Sequence, residues 1–250
     1  MIVLGFDVGG SGIKAAPVDT ETGEFTEERH RIETPQPTTP NEVARVVQEI
    51  TRHFNWKGIA GCGFPAAVQN GIAKTAANID KSWINTNVAS LFSETTSCPF
   101  FVINDADSAA IAEMRFGLGK NRKGVVLMLT VGTGIGSAVF TDGKLLPNTE
   151  FGHIIMKGMQ AEHYASDAVR KKENLKWKEW AERFLEYIKI MESYLYPDLI
   201  VLGGGISKKF HKYGEYLKTE TIIYPAELKN HAGIIGAALY AKDKNTEGIK

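Results

Sequence analysis

Short apolar runs that stop at glycine recur along the chain. Ile2-Val3-Leu4-Gly5-Phe6-Asp7-Val8 halts at Gly9-Gly10-Ser11-Gly12, and Ile13 opens a second apolar run, so residues 1–8 and 12–18 are expected as a hairpin of strands. Residues 19–23 are turn-rich, and a third strand is expected over residues 25–32. After a proline-rich connector at 34–40, Thr39-Pro40-Asn41-Glu42 has the form of a capping box with proline at the first helical position. Val43, Val46, Val47, Ile50 and Phe54 follow at helical spacing. Residues 58–64 and 100–103 read as strands, the first running into Gly63-Phe64-Pro65 and the second stopping at Asn104-Asp105. Residues 106–116 read as a helix closed by Gly117.

The second half repeats this logic. A strand over 125–131 meets the turn Gly132-Thr133-Gly134-Ile135-Gly136, and a strand returns over 137–140 to a hairpin turn at Asp142-Gly143. One long amphipathic helix is expected over 174–196, with Leu175, Trp180, Phe184, Ile188, Met191 and Leu195 on its core side. A strand over 199–202 ends in Gly203-Gly204-Gly205, a last helix covers 232–241, and residues 242–250 form a polar tail expected to fray. The shared rhythm of the two openings predicts duplicated α/β halves facing each other across a cleft, with the boundary near 116–123. The domains are expected at 1–117 and 118–250, the helix at about 232–242 packing back on the first.

Composition narrows the function classes. A chain of 250 residues, 43% apolar and 23% charged, can bury a core. Its formal net charge is zero, which gives no global attraction to nucleic acid or membrane. No apolar run reaches membrane-spanning length, and a strand expected at once, with no charged region followed by a long apolar stretch, argues against a signal peptide. Cys62 and Cys98 make neither a metal spacing nor a disulfide framework, which fits two buried thiols and a reducing cytoplasm.

The first glycine turn carries an aspartate before it and Lys14 after it. Glycines let backbone N–H groups face an anion without a Cβ in the way, the aspartate can orient a metal-bound water, and the lysine adds charge. It is neither a Gly-x-x-x-x-Gly-Lys-Ser/Thr loop nor a Gly-x-Gly-x-x-Gly opening a helix. A second turn at Gly132 to Gly136 and a third at Gly203 to Gly205 suit the two ends of a phosphate chain. Asn104-Asp105-Ala106-Asp107 stands at the carboxyl end of a strand, where open α/β sheets keep ligands. One aspartate there can accept a proton from an alcohol; equally, Asp105 or Asp107 can cap the following helix, Asp107 being the better cap. Glu150-Phe151-Gly152-His153 and Glu162-His163 supply acid and imidazole groups suited to vicinal hydroxyls, and the lack of nearby cysteines argues against zinc. His163 is given no role. Basic clusters at Lys120/Arg122/Lys123, Arg170/Lys171/Lys172 and Lys208/Lys209 are solvated surface unless they line one groove.

These segments resemble, in order, the motifs of the ROK family of sugar kinases and repressors, which has the actin-like ATPase (ribonuclease H-like) fold of two α/β domains with a central cleft. The match to its polyphosphate glucokinases extends to Asn78-Ile79-Asp80-Lys81-Ser82-Trp83, to residues 161–167, to Trp177-Lys178-Glu179-Trp180 and to residues 225–233. The cysteine-rich zinc motif usual in the wider family after Glu-x-Gly-His is missing here.

The resemblance implies Asp105 as the base that takes the proton from the sugar 6-hydroxyl. It implies Asn104, Glu150, His153 and Glu162 as the hexose set, with Asn78 a weaker member. Asp7 would position magnesium through water. Gly9, Gly10, Ser11, Gly12 and Lys14, with Thr130, Gly132, Thr133 and Gly134, would hold the donor phosphates, and Gly203, Gly204 and Gly205 their far end or a nucleoside. The implied reaction is transfer from inorganic polyphosphate to glucose in a cytoplasmic homodimer. A strictly ATP-dependent kinase is the first alternative. A sugar-sensing regulator would need a DNA-binding segment ahead of the first strand, and a polyphosphate hydrolase would leave the sugar-side residues without use.

Overall fold

The structure is a computed structural model that describes residues 1–77 and 79–247. Two compact units comprise Met1–Ala112 with His231–Lys250, and Glu113–Asn230.

In the first unit, β1 (Ile2–Gly9), β2 (Gly12–Asp19), β3 (His30–Ile32), β4 (Ala60–Phe64) and a later strand over Phe100–Asn104 form one sheet. A small hairpin, β5 (Val68–Gln69) and β6 (Ile72–Ala73), precedes that later strand, which is therefore β7. The sheet order is β3-β2-β1-β4-β7: the first three strands pair antiparallel, and β1-β4-β7 run parallel. Successive side chains alternate between the faces of a strand. Leu4, Phe6 and Val8 of β1 enter the core shared with α1 (Pro40–His53) and α2 (Val88–Thr96), beside Val47, Ile50, Trp83 and Phe92. Gly5 and Asp7 point the other way, toward α7 (Ala232–Glu247).

That second face is glycine because α7 lies directly on strand backbone. A Cβ on Gly5 would stand 2.1 Å from the carbonyl oxygen of Ile234, and one on Gly61 1.8 Å from that of Ala237. Gly236 meets the carbonyl of Ser108 in α3 (Asp105–Phe116) in the same way. The first ten residues of α7 are buried save Gly233 and Tyr240, so the helix is apolar nearly all round rather than along one stripe.

The second unit repeats the plan. Strands β8 (Val125–Val131), β9 (Ile135–Thr141), β10 (Lys144–Leu146), β13 (Leu199–Gly204) and β14 (Ile223–Pro225) stand in the order β10-β9-β8-β13-β14, antiparallel first and parallel last. Between β10 and β13 come the hairpin β11 (Ile155–Met156) and β12 (Met159–Gln160), then α4 (Ala161–Ala165), α5 (Asp167–Lys172) and α6 (Trp177–Leu195). Trp180, Phe184, Tyr187, Ile188 and Met191 of α6 fill the core against Leu127, Leu129, Ile200 and Leu202. Asp142 and Gly143 both take positive φ, the conformation of a tight two-residue hairpin.

Several expectations need correcting. The strand placed at 25–32 shrinks to His30–Ile32, with one bridge from Phe25 to Val18, because the polar run Thr26-Glu27-Glu28-Arg29 has nothing to bury. Thr39 takes the N-cap position of α1 with Pro40 after it, but its side chain makes no cap bond, and Glu42 pairs with Arg45 instead. The helix expected over 174–196 begins at Trp177, and α5 precedes it as a separate turn. The tail expected to fray continues α7 to Glu247, and residues 248–250 lie outside the described residues. α2 had no clear herald: within Val88–Thr96 only Val88 and Phe92 are buried, one turn apart.

Candidate active site

In the first unit the β1–β2 hairpin closes at the pair Gly9↔Gly12, leaving Gly10-Ser11 as an exposed loop. A Cβ on Gly10 would meet nothing within 4 Å, so the loop top is open to a ligand. On the flank, Arg31 donates to the Ser11 carbonyl at 2.6 Å, and its guanidinium occupies the place a Gly12 side chain would take. Asp7 and Lys14 are cross-strand partners, with Nζ to Oδ2 at 3.0 Å and both half-buried. Gly233 of α7 packs on Asp7, since its Cβ would stand 3.1 Å from the Asp7 Cγ, and the Ser108 hydroxyl donates to the Gly233 carbonyl at 2.8 Å.

Asn104 ends β7 and caps α3: its Oδ1 accepts from the amides of Ala106 at 2.8 Å and Asp107 at 3.1 Å. This replaces the expected cap at Asp105 or Asp107. The Asn104 amide group donates to the Ala66 carbonyl at 3.1 Å, so most of its bonding capacity is spent on the fold. Asp105 is half-buried and accepts from the Ala106 amide at 2.9 Å; Asp107 is buried. Burial, then the charges of Asp7 and Asp105, push the Cys62 thiol well up, which keeps it unreactive.

In the second unit Glu150, His153 and Glu162 come together. A 3-10 turn over Phe151–His153 rides on β9: the Phe151 amide donates to the Ser137 hydroxyl at 3.0 Å, and a Cβ on Gly152 would meet the Ile135 carbonyl. The imidazole of His153 faces Glu150 at 3.6 Å through Nδ1 and Glu162 at 3.8 Å through Nε2. His163 also reaches Glu162, at 3.8 Å. Burial holds the Glu150 carboxyl above the usual range; His153 offsets this and the charge of Glu162 adds to it. Two carboxylates flanking one imidazole offer acceptors and a donor at a spacing suited to adjacent hydroxyls.

The glycine turns of this unit also converge. Gly203 pairs with Thr130 and Gly204 with Val131, so Gly203 to Gly205 and Thr130 to Gly134 leave adjacent parallel strands at the same carboxyl end. Gly204 needs its positive φ, and a Cβ there would stand 2.5 Å from the Val131 carbonyl. A Cβ on Gly134 would strike the Glu162 carboxylate, which accepts from the Ile135 amide at 3.3 Å. The Gly132 amide is turned inward to the Gly134 carbonyl at 3.0 Å, and Thr133 is exposed.

Asn78 lies outside the described residues. Ser108 and Ser137 were not singled out in the sequence and Gly233 was given no role of its own, their contacts being long-range; nor was Asp167, though its partners Arg170 and Lys171 at i+3 and i+4 were a legible signal.

The ROK family profile matches residues 3–168. A polyphosphate glucokinase of Mycobacterium tuberculosis is 45% identical over 237 residues, which covers 94% of this chain and 89% of that one. The polyphosphate glucokinase of Mycobacterium leprae is 43% identical over the same length, 94% of this chain and 73% of its own. Among solved structures, the inorganic polyphosphate/ATP-glucomannokinase of Arthrobacter sp. strain KM matches with a TM-score of 0.94 at 42% identity, over 97% of this chain and 99% of that one. A ROK glucokinase of Streptomyces griseus in complex with glucose and AMPPNP shares the fold, with a TM-score of 0.80 at 23% identity over 97% and 100% of the two chains. With a profile match through the first two glycine turns and likeness along nearly its whole length, the chain belongs to the ROK family and has the actin-like ATPase fold.

Proposed function

We propose that the protein transfers a phosphoryl group from inorganic polyphosphate to the 6-hydroxyl of glucose, giving glucose 6-phosphate and a donor shorter by one phosphate. The observation that carries this reading is the 45% identity to a polyphosphate glucokinase along 94% of the chain. Asp105 accepts the hydroxyl proton as O6 bonds to phosphorus, and the bridging P–O bond breaks with its electron pair going to the shortened chain. Glu150, His153 and Glu162 accept and donate to the sugar hydroxyls, joined by Asn104 through its remaining amide hydrogen and by Asn78. Gly9, Gly10, Ser11, Gly12 and Lys14, with Thr130, Gly132, Thr133 and Gly134, hold donor phosphates, and Gly203 to Gly205 the far end of the chain. The transition state is loose, so positioning and charge neutralisation supply most of the rate.

The donor set fits magnesium. Asp7 is a half-buried carboxylate beside the open hairpin loop, and magnesium is held through one or two carboxylates, several waters and substrate phosphates. When bound it would offset donor charge. Lys14, 3.0 Å from Asp7, orients that carboxylate and adds a cation of its own.

The test is glucose phosphorylation with each donor supplied alone. We expect product with long-chain inorganic polyphosphate; turnover with ATP and none with polyphosphate would replace this reading with an ATP-dependent kinase. The Arthrobacter relative carries both donors in its name, so ATP is the second donor to assay. Two free, buried cysteines suit a cytoplasmic setting. The homodimer belongs to the same reading, supported by the exposed Tyr194, Tyr196, Ile222 and Tyr224; a monomeric mass in solution would remove it.

A further inference from the structure

α5 carries a basic cluster that the proposed reaction has not yet used. Asp167, only 6% exposed, holds Arg170 Nε at 2.7 Å through Oδ1 and Lys171 Nζ at 2.7 Å through Oδ2. Burial works against ionised Asp167, but the bonds from Lys171 and Arg170 outweigh it and hold the carboxyl below the usual range. The Arg170 guanidinium also lies 4.0 Å from the ring centroid of Trp177. Trp177 in turn stacks on Tyr213 at 5.6 Å and meets Trp180 edge-on, so it serves as a prop. Arg170 is thus fixed along one edge and one face. Ordering so long a side chain costs rotamer entropy that a solvated arginine would keep.

What the anchoring leaves available is the fork of two terminal nitrogens. Among the described residues neither makes a hydrogen bond or ion pair, and the side chain is 18% exposed. The mount adjoins both glycine turns of this unit. The Ala168 amide, two residues earlier, donates to the Gly132 carbonyl at 3.0 Å, and the Tyr213 hydroxyl donates to the carbonyl of Ile206, just after Gly205, at 3.3 Å. A planar fork of N–H donors matches the oxygens of a phosphate.

We propose that Arg170 is a donor-binding residue, its two terminal nitrogens taking the oxygens of a phosphate of the inorganic chain other than the one transferred. This rests on the polyphosphate reading, so the experiment separates the two. Binding of long-chain inorganic polyphosphate is measured calorimetrically without sugar, next to steady-state kinetics and thermal melts, for wild type, Arg170→Met and Arg170→Lys. We expect Arg170→Met to weaken polyphosphate binding by roughly tenfold, about 1.4 kcal/mol, with the KM for glucose held. Arg170→Lys, a point charge in place of a fork, should fall between. Unchanged polyphosphate affinity in either folded variant overturns the assignment. So does a lower melting temperature with equal losses for glucose and polyphosphate, which would mark a merely structural arginine, or a wild type that binds no polyphosphate. A wild type that binds polyphosphate without phosphorylating glucose defeats the proposed reaction, and the Arg170 assignment then stands on the binding loss in Arg170→Met.

Discussion

Asn104 caps α3, its neighbour Asp105 is the base of the proposed reaction, and substitution at Asp105 tests that role. Asp105→Asn keeps an oxygen for the Ala106 amide but cannot take a proton, so kcat should fall by roughly 10²–10⁴-fold while the KM for glucose changes little. Near-normal turnover would remove Asp105 as the base. Glu113 gives a second test at this scale. It is 1% exposed, and burial holds its carboxyl above the usual range although the Leu228 amide donates to it at 2.7 Å. A raised native pKa means that the folded state binds the proton more tightly than the unfolded one. Its stabilising contribution is therefore present below the ordinary value of 4.5 and is lost as pH rises through the raised one. Glu113→Gln keeps the acceptor and has no charge to bury, so its melting temperature should gain on wild type as pH climbs out of the acid range. A pH-independent difference would contradict this. The misread cap belongs to the same scale. Asn104, Asp105 and Asp107 are all good capping types, and only the point where β7 ends, set by its pairing with β4, makes Asn104 the cap.

Among the elements, strands that meet a glycine turn were the most legible, because alternation and turn chemistry agree. β1, β2, β8 and β13 fall within two residues of the expected bounds. Two failures are local, the polar run before β3 and the Glu42–Arg45 pair at the start of α1; the others turn on contacts remote in sequence. α2 is helical although Ser and Thr fill much of Val88–Thr96; Asn87 caps it, and Phe92 is held in the core by Trp83 and Phe100. A glycine inside a strand weakens it, and the seat of α7 explains those at 5 and 61. Gly61→Ala should cost about 1–3 kcal/mol or more, since a methyl group would press on the Ala237 carbonyl, whereas Gly10→Ala has open space and should leave stability nearly unchanged. Equal urea midpoints for Gly61→Ala and wild type would refute the close seat.

At the scale of the molecule, the two sheets share one strand order and one sequence of antiparallel and parallel pairs. That duplication is legible in the amino-acid sequence as a glycine rhythm repeated in each half. The candidate site was legible wherever its groups sit in short motifs, as in Glu150 with His153. It was obscure where a group depends on distant support, as Arg170 does on Trp177 and Tyr213. The seat of α7 has one more consequence. The first unit consists of two stretches of chain with the whole second unit inserted between them. A ribosome therefore makes the five strands of the first sheet long before the helix that covers their glycine face. Until then Gly5, Gly61 and Asp7 on that face lack their cover, while Glu113–Asn230 is already complete and free to fold. Chains stalled before residue 231 should then protect the middle segment from protease and leave the N-terminal one sensitive, so the half that carries Asp7 and Asp105 would mature last.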